Sequence, residues 1–123
     1  MISAADILGA ALVSVQNQFS PAFRSSEPEI ATCDSLGIAF LPWSPLGGAS
    51  GAKDLGSTYA PFAQVADDRG VSPQQVCLAW ELSLSPRVIV IPGASRPASI
   101  QDSAAAAELQ LTERELDRLT ASS

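Results

Sequence analysis

The chain has 123 residues, the size of one domain or of a part of a larger one, and 46% of them are hydrophobic, which favours a buried core over disorder. The formal charge of −6, without a basic patch, argues against nucleic acid or an anionic membrane surface as a partner. The absence of histidine disfavours a zinc site, and no apolar run reaches the roughly 18 residues of a membrane span.

Three short apolar segments are predicted to be strands of a parallel sheet. They are LVSVQ (12–16), IAFL (38–41) and RVIVI (87–91). Each is rich in β-branched or aromatic residues without strict alternation, which is typical of strands covered on both faces. A loop containing proline follows each segment. Pro42 and Pro45 are expected to end the second strand and to leave Trp43 just beyond it.

Helical patterns separate and follow these strands. The predicted helices are 27–36, 61–69, a helix through 76–85, 97–108 beginning near Pro97, and a carboxyl-terminal helix. Ser26 is the predicted N-cap of the first helix, and Gly37 and Gly70 are predicted to end the first and second. The capping boxes Ser72–Gln75 and Thr112–Glu115 are predicted to open the third and the last helix. Alternating strands and helices predict right-handed crossovers and an α/β fold.

A complete barrel of eight strand–helix units needs roughly 250 residues, so this chain is predicted to form only a portion of one. Three parallel strands alone would leave unpaired edges. In such barrels the functional residues lie in the loops after the carboxyl ends of the strands. That rule selects 16–18, 42–48 and 92–97.

Five motifs resemble, in order and spacing, the carboxyl-terminal part of the aldo-keto reductases. They are VSVQNQFSP (13–21), GIAFLPWSPLGG (37–48), VSPQQVCLAWELS (71–83), VIVIPGASRPASIQD (88–102) and LTERELDRL (111–119). The resemblance implies an α/β fold of the parallel (β/α)8 TIM-barrel type, of which the chain supplies the last three βα units. Residues 1–123 would then be the carboxyl-terminal portion of a single barrel domain, without its amino-terminal half.

The resemblance also implies a cofactor, NADP(H) with NAD(H) as the alternative, and hydride transfer to or from a small carbonyl substrate. Gln16 matches the residue that hydrogen-bonds the nicotinamide carboxamide, and Trp43 matches the aromatic residue that stacks on the ring. The remaining matches are Ser44, Pro45, Leu46 and Gly47 for the pyrophosphate loop, Gly93, Ala94, Ser95 and Arg96 for the adenosine-phosphate loop, and Ser99, Asp102 and Ser103 for the 2′-phosphate and adenine.

Some matched positions depart from the family pattern or have a simpler interpretation. Ser99 and Ser103 are shorter than the usual family residues and Asp102 replaces Glu, so the choice of NADP over NAD depends largely on Arg96. Asp102 could instead be a first-turn helix charge. Gln16 could satisfy backbone groups, and Trp43 could be core. Trp80 is predicted to pack between helix and sheet.

No catalytic residue of the family is matched in this chain. The resemblance implies a tyrosine general acid tuned by lysine and aspartate, with a histidine nearby, all from the first half of the barrel. The chain has no histidine, and Tyr59 and Lys53 lie in the loop after the second strand. We therefore expect an oxidoreductase portion that is inactive alone. The alternatives are a non-catalytic nucleotide-binding regulatory subunit and a structural remnant that binds nothing.

The remaining expectations concern location and partners. Cys33 and Cys77 are predicted to be reduced, buried thiols, and the amino terminus does not resemble a signal peptide, so a cytoplasmic location is expected. The open sheet edges are expected to bind an amino-terminal half-barrel or a second copy of the chain. No metal, nucleic acid or membrane partner is expected.

Overall fold

The computed structural model describes residues 12–21, 23–43, 45–47, 55, 59–91 and 97–121. The elements are strand β1 (Ser14–Gln18), helix α1 (Glu27–Leu36), strand β2 (Ala39–Trp43), helices α2 (Ala60–Arg69), α3 (Pro73–Ser83) and α4 (Pro97–Ala105), a 3-10 turn (Ala106–Glu108) and helix α5 (Glu113–Ala121). Among these residues, no helix combines the length and the apolar character needed to cross a membrane.

Strands β1 and β2 form a parallel pair, as the β–α–β pattern predicts. The register aligns Gln16 with Leu41 and Gln18 with Trp43. Helix α1 connects the two strands and contacts β2. The parallel α/β arrangement is therefore confirmed for this part of the chain, although β1 begins two residues later than predicted.

The predicted third strand, 87–91, is not formed as a strand. The segment makes one isolated parallel bridge, between Phe40 and Val88. Phe40 N donates to Arg87 O and Ile89 N donates to Phe40 O, each at 2.9 Å. The next donor on that side of β2 would be residue 42, and Pro42 has no N–H. Pro42 therefore limits the pairing to a single bridge.

The same proline does not end β2, contrary to the prediction. Ala39 N donates to Val13 O, so alternate nitrogens along β2 face β1 and the nitrogen of Pro42 faces away from it. The ladder with β1 therefore loses no hydrogen bond at Pro42. As a result the strand continues to Trp43, which is its last residue rather than a residue beyond it.

The expectation that the strands are covered on both faces is also wrong for this chain. Phe40, Pro42 and Val88 are buried on one face of the sheet. On the opposite face Trp43 is 40% exposed and Ile89 is 54% exposed. Among the described elements the helices pack against the first face, and the core lies between that face and these helices.

The predicted ends of α1 and α2 agree with the structure, whereas α3 ends at Ser83 rather than at residue 85 and the helix predicted over 97–108 becomes a 3-10 turn after Ala105. Gly37 and Gly70 adopt left-handed φ angles of 71° and 67°, which end α1 and α2 where glycine is the favoured residue. At the start of α3, Ser72 Oγ accepts from Gln75 N at 3.0 Å. Ser26 is the N-cap of α1, but its side chain makes no capping hydrogen bond.

The capping box of α5 is complete and also joins two helices. Thr112 N donates to Glu115 Oε1 at 2.8 Å, and Glu115 N donates to Thr112 Oγ1 at 3.2 Å. Arg69, at the end of α2, donates through Nε to the other oxygen of the same carboxylate at 2.9 Å. One carboxylate therefore caps α5 and holds it to α2.

Trp80 is buried in the core, as a packing role requires, but its ring contacts are with α2 and the segment after β1 rather than with the strands of the prediction. Its ring stacks on Phe19 at 5.8 Å between centroids and meets Phe62 edge-on at the same distance. The Arg24 guanidinium lies 4.7 Å from the ring centroid, and Trp80 Nε1 donates to Thr120 Oγ1 at 3.1 Å. One indole thus joins α2, α3, α5 and the segment after β1.

Replacement of Trp80 should lower the free energy of unfolding far more than replacement of Trp43. Trp80→Ala leaves a cavity beneath four elements, so we expect the free energy of unfolding to fall by about 3–5 kcal/mol. Trp43→Ala, at a half-exposed position, should lower it by about 1 kcal/mol or less. Urea denaturation followed by circular dichroism measures both. Equal losses for the two variants would contradict the assignment of Trp80 as the centre of the core.

Candidate functional site

The candidate site begins on the uncovered face of the sheet. Side chains alternate along a strand, and the register places Gln16 beside Leu41 and Gln18 beside Trp43 on that face. The Phe40–Val88 bridge adds Ile89 to the same face. This uncovered face, defined by these residues, is a mixed polar and apolar surface that ends in an aromatic ring.

Gln16 and Trp43, the two predicted nicotinamide residues, are brought together by this register. They lie on neighbouring strands, two residues apart in register, near the carboxyl ends of both strands. The Gln16 side chain is exposed and Trp43 is 40% exposed. An indole with a free surface beside an exposed amide can accept a flat, polar aromatic group by stacking and hydrogen bonding.

Hydrogen bonds hold the carboxyl end of β1 in place. Asn17 Nδ2 donates to Glu29 Oε2 of α1 at 3.1 Å, and Asn17 Oδ1 accepts from Gln18 N at 2.9 Å. Beyond the strand, Phe19 N donates to Trp43 O at 3.4 Å. Because Phe19 is itself stacked on Trp80, the backbone of Trp43 is tied to the core while its ring remains accessible.

The loop after β2 is anchored by its first residues. Pro45 and Leu46 are buried, and Gly47 is exposed with a φ of 88°. From below the loop, Cys77 Sγ lies 3.6 Å from Pro45 O. A residue with a side chain would be strained at the φ of Gly47. The loop therefore combines a fixed base with an exposed glycine backbone.

The adenine end of the predicted site lies on α4. Ser99 and Ser103 are half-buried there. The Asp102 carboxylate accepts from the Ser72 hydroxyl and from Gln75 Nε2, the latter at 3.2 Å, so it joins α4 to the start of α3. This contact adds a packing role to Asp102, which sequence alone described as either an adenine contact or a helix-terminal charge.

An apolar groove of about 450 Å³ lies next to this helix. It is lined by Leu82, Val88, Ile89, Val90, Ile100, Ser103, Ala104 and Ala107. Ile89 and Ile100 are more than half exposed, at 54% and 57%. The groove therefore lies between the 88–90 segment and helices α3 and α4, at the edge of the sheet.

Several predicted positions fall outside the described residues. They are Ser44, Gly93, Ala94, Ser95 and Arg96, together with Lys53. Tyr59 is described; its ring packs edge-on against Phe62 at 6.1 Å, on the helical side of the structure. Tyr59 thus lies in the packing around α2 rather than on the uncovered face.

Two features were missed by sequence reasoning. Gln18 is the direct cross-strand neighbour of Trp43, and simple alternation from Gln16 would have placed it on the same face. The second is a buried pair on α3, in which Glu81 Oε2 lies 3.5 Å from Cys77 Sγ. The spacing of four residues signals a shared helix face, but nothing in the sequence shows that the carboxyl is buried.

Burial dominates the electrostatics of this pair. Desolvation raises the pKa of Glu81 well above its ordinary value, which favours the neutral, protonated carboxyl. Desolvation, followed by the nearby Glu81, also raises the pKa of the Cys77 thiol. Both described cysteines, Cys33 and Cys77, are buried and are not joined in a disulfide, as predicted. Neither is an activated nucleophile, since a raised pKa disfavours the thiolate.

Comparison with known proteins identifies the family. The sequence model of the Aldo/keto reductase family matches residues 3–123. The chain belongs to the aldo/keto reductase family. It is 36% identical over 110 residues to pyridoxine 4-dehydrogenase of Escherichia coli, an alignment that covers 89% of this chain and 37% of that protein. It is 39% identical over 101 residues to an uncharacterized oxidoreductase of Schizosaccharomyces pombe, covering 82% and 32%.

Solved structures of aldo-keto reductases have the same fold. The thermostable aldo-keto reductase Tm1743 superposes with a TM-score of 0.81 at 23% identity, covering 97% of this chain and 43% of that one. A Gox0644 mutant in complex with NADPH superposes with a TM-score of 0.76 at 20% identity, covering 96% and 41%. This aldo-keto reductase chain therefore spans well under half the length of the relatives that it matches.

The buried carboxyl should make stability depend on pH. Because the pKa of Glu81 is raised on folding, its favourable contribution is complete below the ordinary value of 4.5 and is lost as pH rises through the raised value. Glu81→Gln removes the titration. We therefore expect the free energy of unfolding of the variant to exceed that of the wild type increasingly as pH rises from about 4 to about 8. Urea denaturation at a series of pH values measures the difference.

Glu115→Gln is a control of opposite sign. The Arg69 guanidinium and the cap contacts lower the pKa of Glu115 to about 2. Its contribution is therefore present above the ordinary value of 4.5 and is lost as pH falls toward about 2. A wild-type minus Glu81→Gln difference that stays constant with pH would contradict a protonated, buried Glu81.

Proposed function

We propose that the chain is the carboxyl-terminal, cofactor-binding portion of an NADP(H)-dependent aldo-keto reductase. The observation that carries the proposal is the register of β1 and β2, which places Gln16 and Trp43 on one uncovered face next to the loop that contains Gly47. Family membership and the NADPH complex of the related Gox0644 mutant support the choice of cofactor. In the proposed whole enzyme, residues 1–123 supply the last three strand–helix units of the barrel.

Each described residue of the site fits one part of a nicotinamide dinucleotide. The accessible indole of Trp43 offers a surface for the nicotinamide ring, and the Gln16 amide can both donate to and accept from its carboxamide. Backbone N–H groups around Gly47 can approach the pyrophosphate closely. When bound, the cofactor supplies or accepts the hydride. The role of the chain is to hold the ring flat and to orient one of its faces.

The adenosine end is proposed to lie along Gly93–Arg96 and the first turns of α4. Arg96 would pair with the 2′-phosphate through its planar guanidinium, and Ser99 and Ser103 would donate hydroxyls. Asp102 would contact adenine from a position that its bonds to Ser72 and Gln75 already fix. A preference for NADP(H) over NAD(H) follows from Arg96 in this proposal.

The proton donor is proposed to come from the part of the barrel that this chain does not supply. A general acid must reach the carbonyl oxygen of the substrate while that carbonyl faces the nicotinamide. Tyr59, the only tyrosine, is turned toward Phe62 and away from the uncovered face. The chain also spans only 37% of pyridoxine 4-dehydrogenase. The same missing part would cover the exposed Ile89 and the open edge of β1.

The proposed reaction class is the interconversion of a small alcohol and its carbonyl compound. The 36%-identical relative is named pyridoxine 4-dehydrogenase, so pyridoxal is a reasonable first probe. A cytoplasmic location is part of the proposal, and the absence of a disulfide between Cys33 and Cys77 supports it.

Titration with NADPH tests cofactor binding. Wild-type fluorescence should be quenched in a saturable manner, because the nicotinamide stacks on the accessible Trp43. Quenching should disappear in Trp43→Ala, whose remaining indole, Trp80, is buried in the core, and should persist in Trp80→Phe, which keeps Trp43. Folded wild type without quenching would contradict the proposal and favour a structural remnant that binds nothing.

Turnover measurements test the missing acid. The purified chain with NADPH and pyridoxal should show no loss of NADPH absorbance. Activity should appear when the chain is co-expressed with the part of pyridoxine 4-dehydrogenase outside the matched region, and should be reduced at least about tenfold when Gln16→Leu is introduced. Turnover by the pure chain would contradict the assignment of the acid to the rest of the barrel. Cofactor binding without activity in any complemented form would favour a non-catalytic nucleotide-binding subunit.

A further inference from the structure

The contact between α3 and the loop after β2 involves two groups that the proposed function does not use. Glu81 is fully buried at 0% exposure, and its Oε2 lies 3.5 Å from Cys77 Sγ. The same sulfur lies 3.6 Å from Pro45 O. The other oxygen, Glu81 Oε1, has no hydrogen-bond partner among the described residues. A buried acid, a thiol and a loop carbonyl thus form a continuous chain.

The number of available hydrogens decides which group donates in each contact between Glu81, Cys77 and Pro45. A thiol has one hydrogen and two neighbouring acceptors here, so it cannot donate to Glu81 and to Pro45 together. A carboxylic acid has one hydrogen of its own and is the stronger donor. If Glu81 donates to Sγ, the thiol is left to donate to Pro45 O, and every hydrogen has an acceptor. Glu81 Oε1 is then the carbonyl oxygen of a neutral acid, which is less costly to bury unpaired than a carboxylate.

We propose that Cys77 and Glu81 are positioning residues that hold the Pro45–Gly47 loop in place through the chain Glu81 O–H to Cys77 Sγ and Cys77 S–H to Pro45 O. This inference rests on the proposed function, in which the same loop receives the pyrophosphate. Pro45 and Leu46 are fixed from below by this chain and by burial, while Gly47 faces outward. The cofactor then meets a preformed loop and does not have to order one, which strengthens binding.

The remaining charged neighbour is consistent with a neutral pair. Arg24 is the described cation that acts on Cys77, and it already donates to Pro21 O at 3.0 Å and to Thr120 O at 2.7 Å. Its guanidinium also lies over Trp80. Arg24 therefore packs with the segment after β1 and with α5. The contact with the loop is made by Cys77, which in turn contacts Glu81.

Thiol alkylation of the full chain, resolved by mass spectrometry of its peptides, tests the contact without any nucleotide. The ratio of Cys77 to Cys33 labelling separates opening of the loop from global unfolding, because Cys33 is buried on α1. Glu81→Leu should raise this ratio about tenfold, whereas Glu81→Gln, whose amide can still donate to sulfur, should stay within about twofold of wild type. Leu46→Ala should also raise it, from the loop side and with the thiol and acid intact.

Nucleotide affinity tests the positioning role. Cys77→Ala should weaken NADPH binding about tenfold, and Cys77→Ser, which keeps a donor for Pro45 O, should restore it to within about twofold. The amplitude of Trp43 quenching at saturation should be the same in both variants, because the nicotinamide end is untouched. A general loss of structure would change the amplitude and the unfolding midpoint as well.

The outcomes separate this inference from the proposed function. An unchanged labelling ratio in Glu81→Leu, or equal NADPH affinity in wild type and Cys77→Ala, would overturn the positioning role. If wild type does not bind NADPH but the labelling ratio changes as expected, the proposed function fails and the contact that holds the loop stands. If Glu81→Leu does not fold, the comparison of Cys77→Ala with Cys77→Ser still decides the inference.

Discussion

The packing of Trp80 is the interaction on which the rest of this structure depends. Its ring and its N–H contact Phe19, Arg24, Phe62 and Thr120, which lie in three separate parts of the sequence. With only two short paired strands among the described residues, the sheet alone cannot stabilise the chain. The aromatic cluster converts a small sheet and a set of helices into one layered unit, with the sheet held at a defined position against the helices.

The two faces of the sheet differ in role, one packing into the core and the other presenting the candidate site. The helical face of the sheet contains the core, and the opposite face contains Gln16 and Trp43. Phe19 connects the two sides, because its ring stacks on Trp80 while its N–H donates to the carbonyl of Trp43. The proposed cofactor surface is therefore fixed from behind, as a preorganised binding site requires. The chain belongs to the aldo/keto reductase family, and barrel folds place their chemistry at the carboxyl ends of the strands, near which Gln16 and Trp43 lie.

Local sequence signals predicted the helices well. Gly37, Gly70 and the box Thr112–Glu115 each specify a helix end through backbone conformation or through a bond within four residues. The strands were predicted less well, because their extent depends on partners. RVIVI has every propensity for a strand, yet the missing N–H of a proline on another strand limits it to one bridge. Burial on a single face was also missed, since apolar composition cannot show which neighbours are present. In the site, the family resemblance selected Gln16 and Trp43, and the register of β1 and β2 places both on one face, whereas the burial of Glu81 is a tertiary effect with no local signal.

Pro42 affects which strands can pair with the edge of β2 that faces away from β1. An open strand edge is a template on which other molecules can add strands and grow into aggregates. On the side of β2 that faces away from β1, that template is interrupted after one bridge, because a foreign strand would also find no N–H at Pro42. The proline thus acts as a gatekeeper against runaway pairing at this edge. The cost is local, a shortened ladder with residues 87–91, and the benefit is a lower tendency of this edge to add further strands.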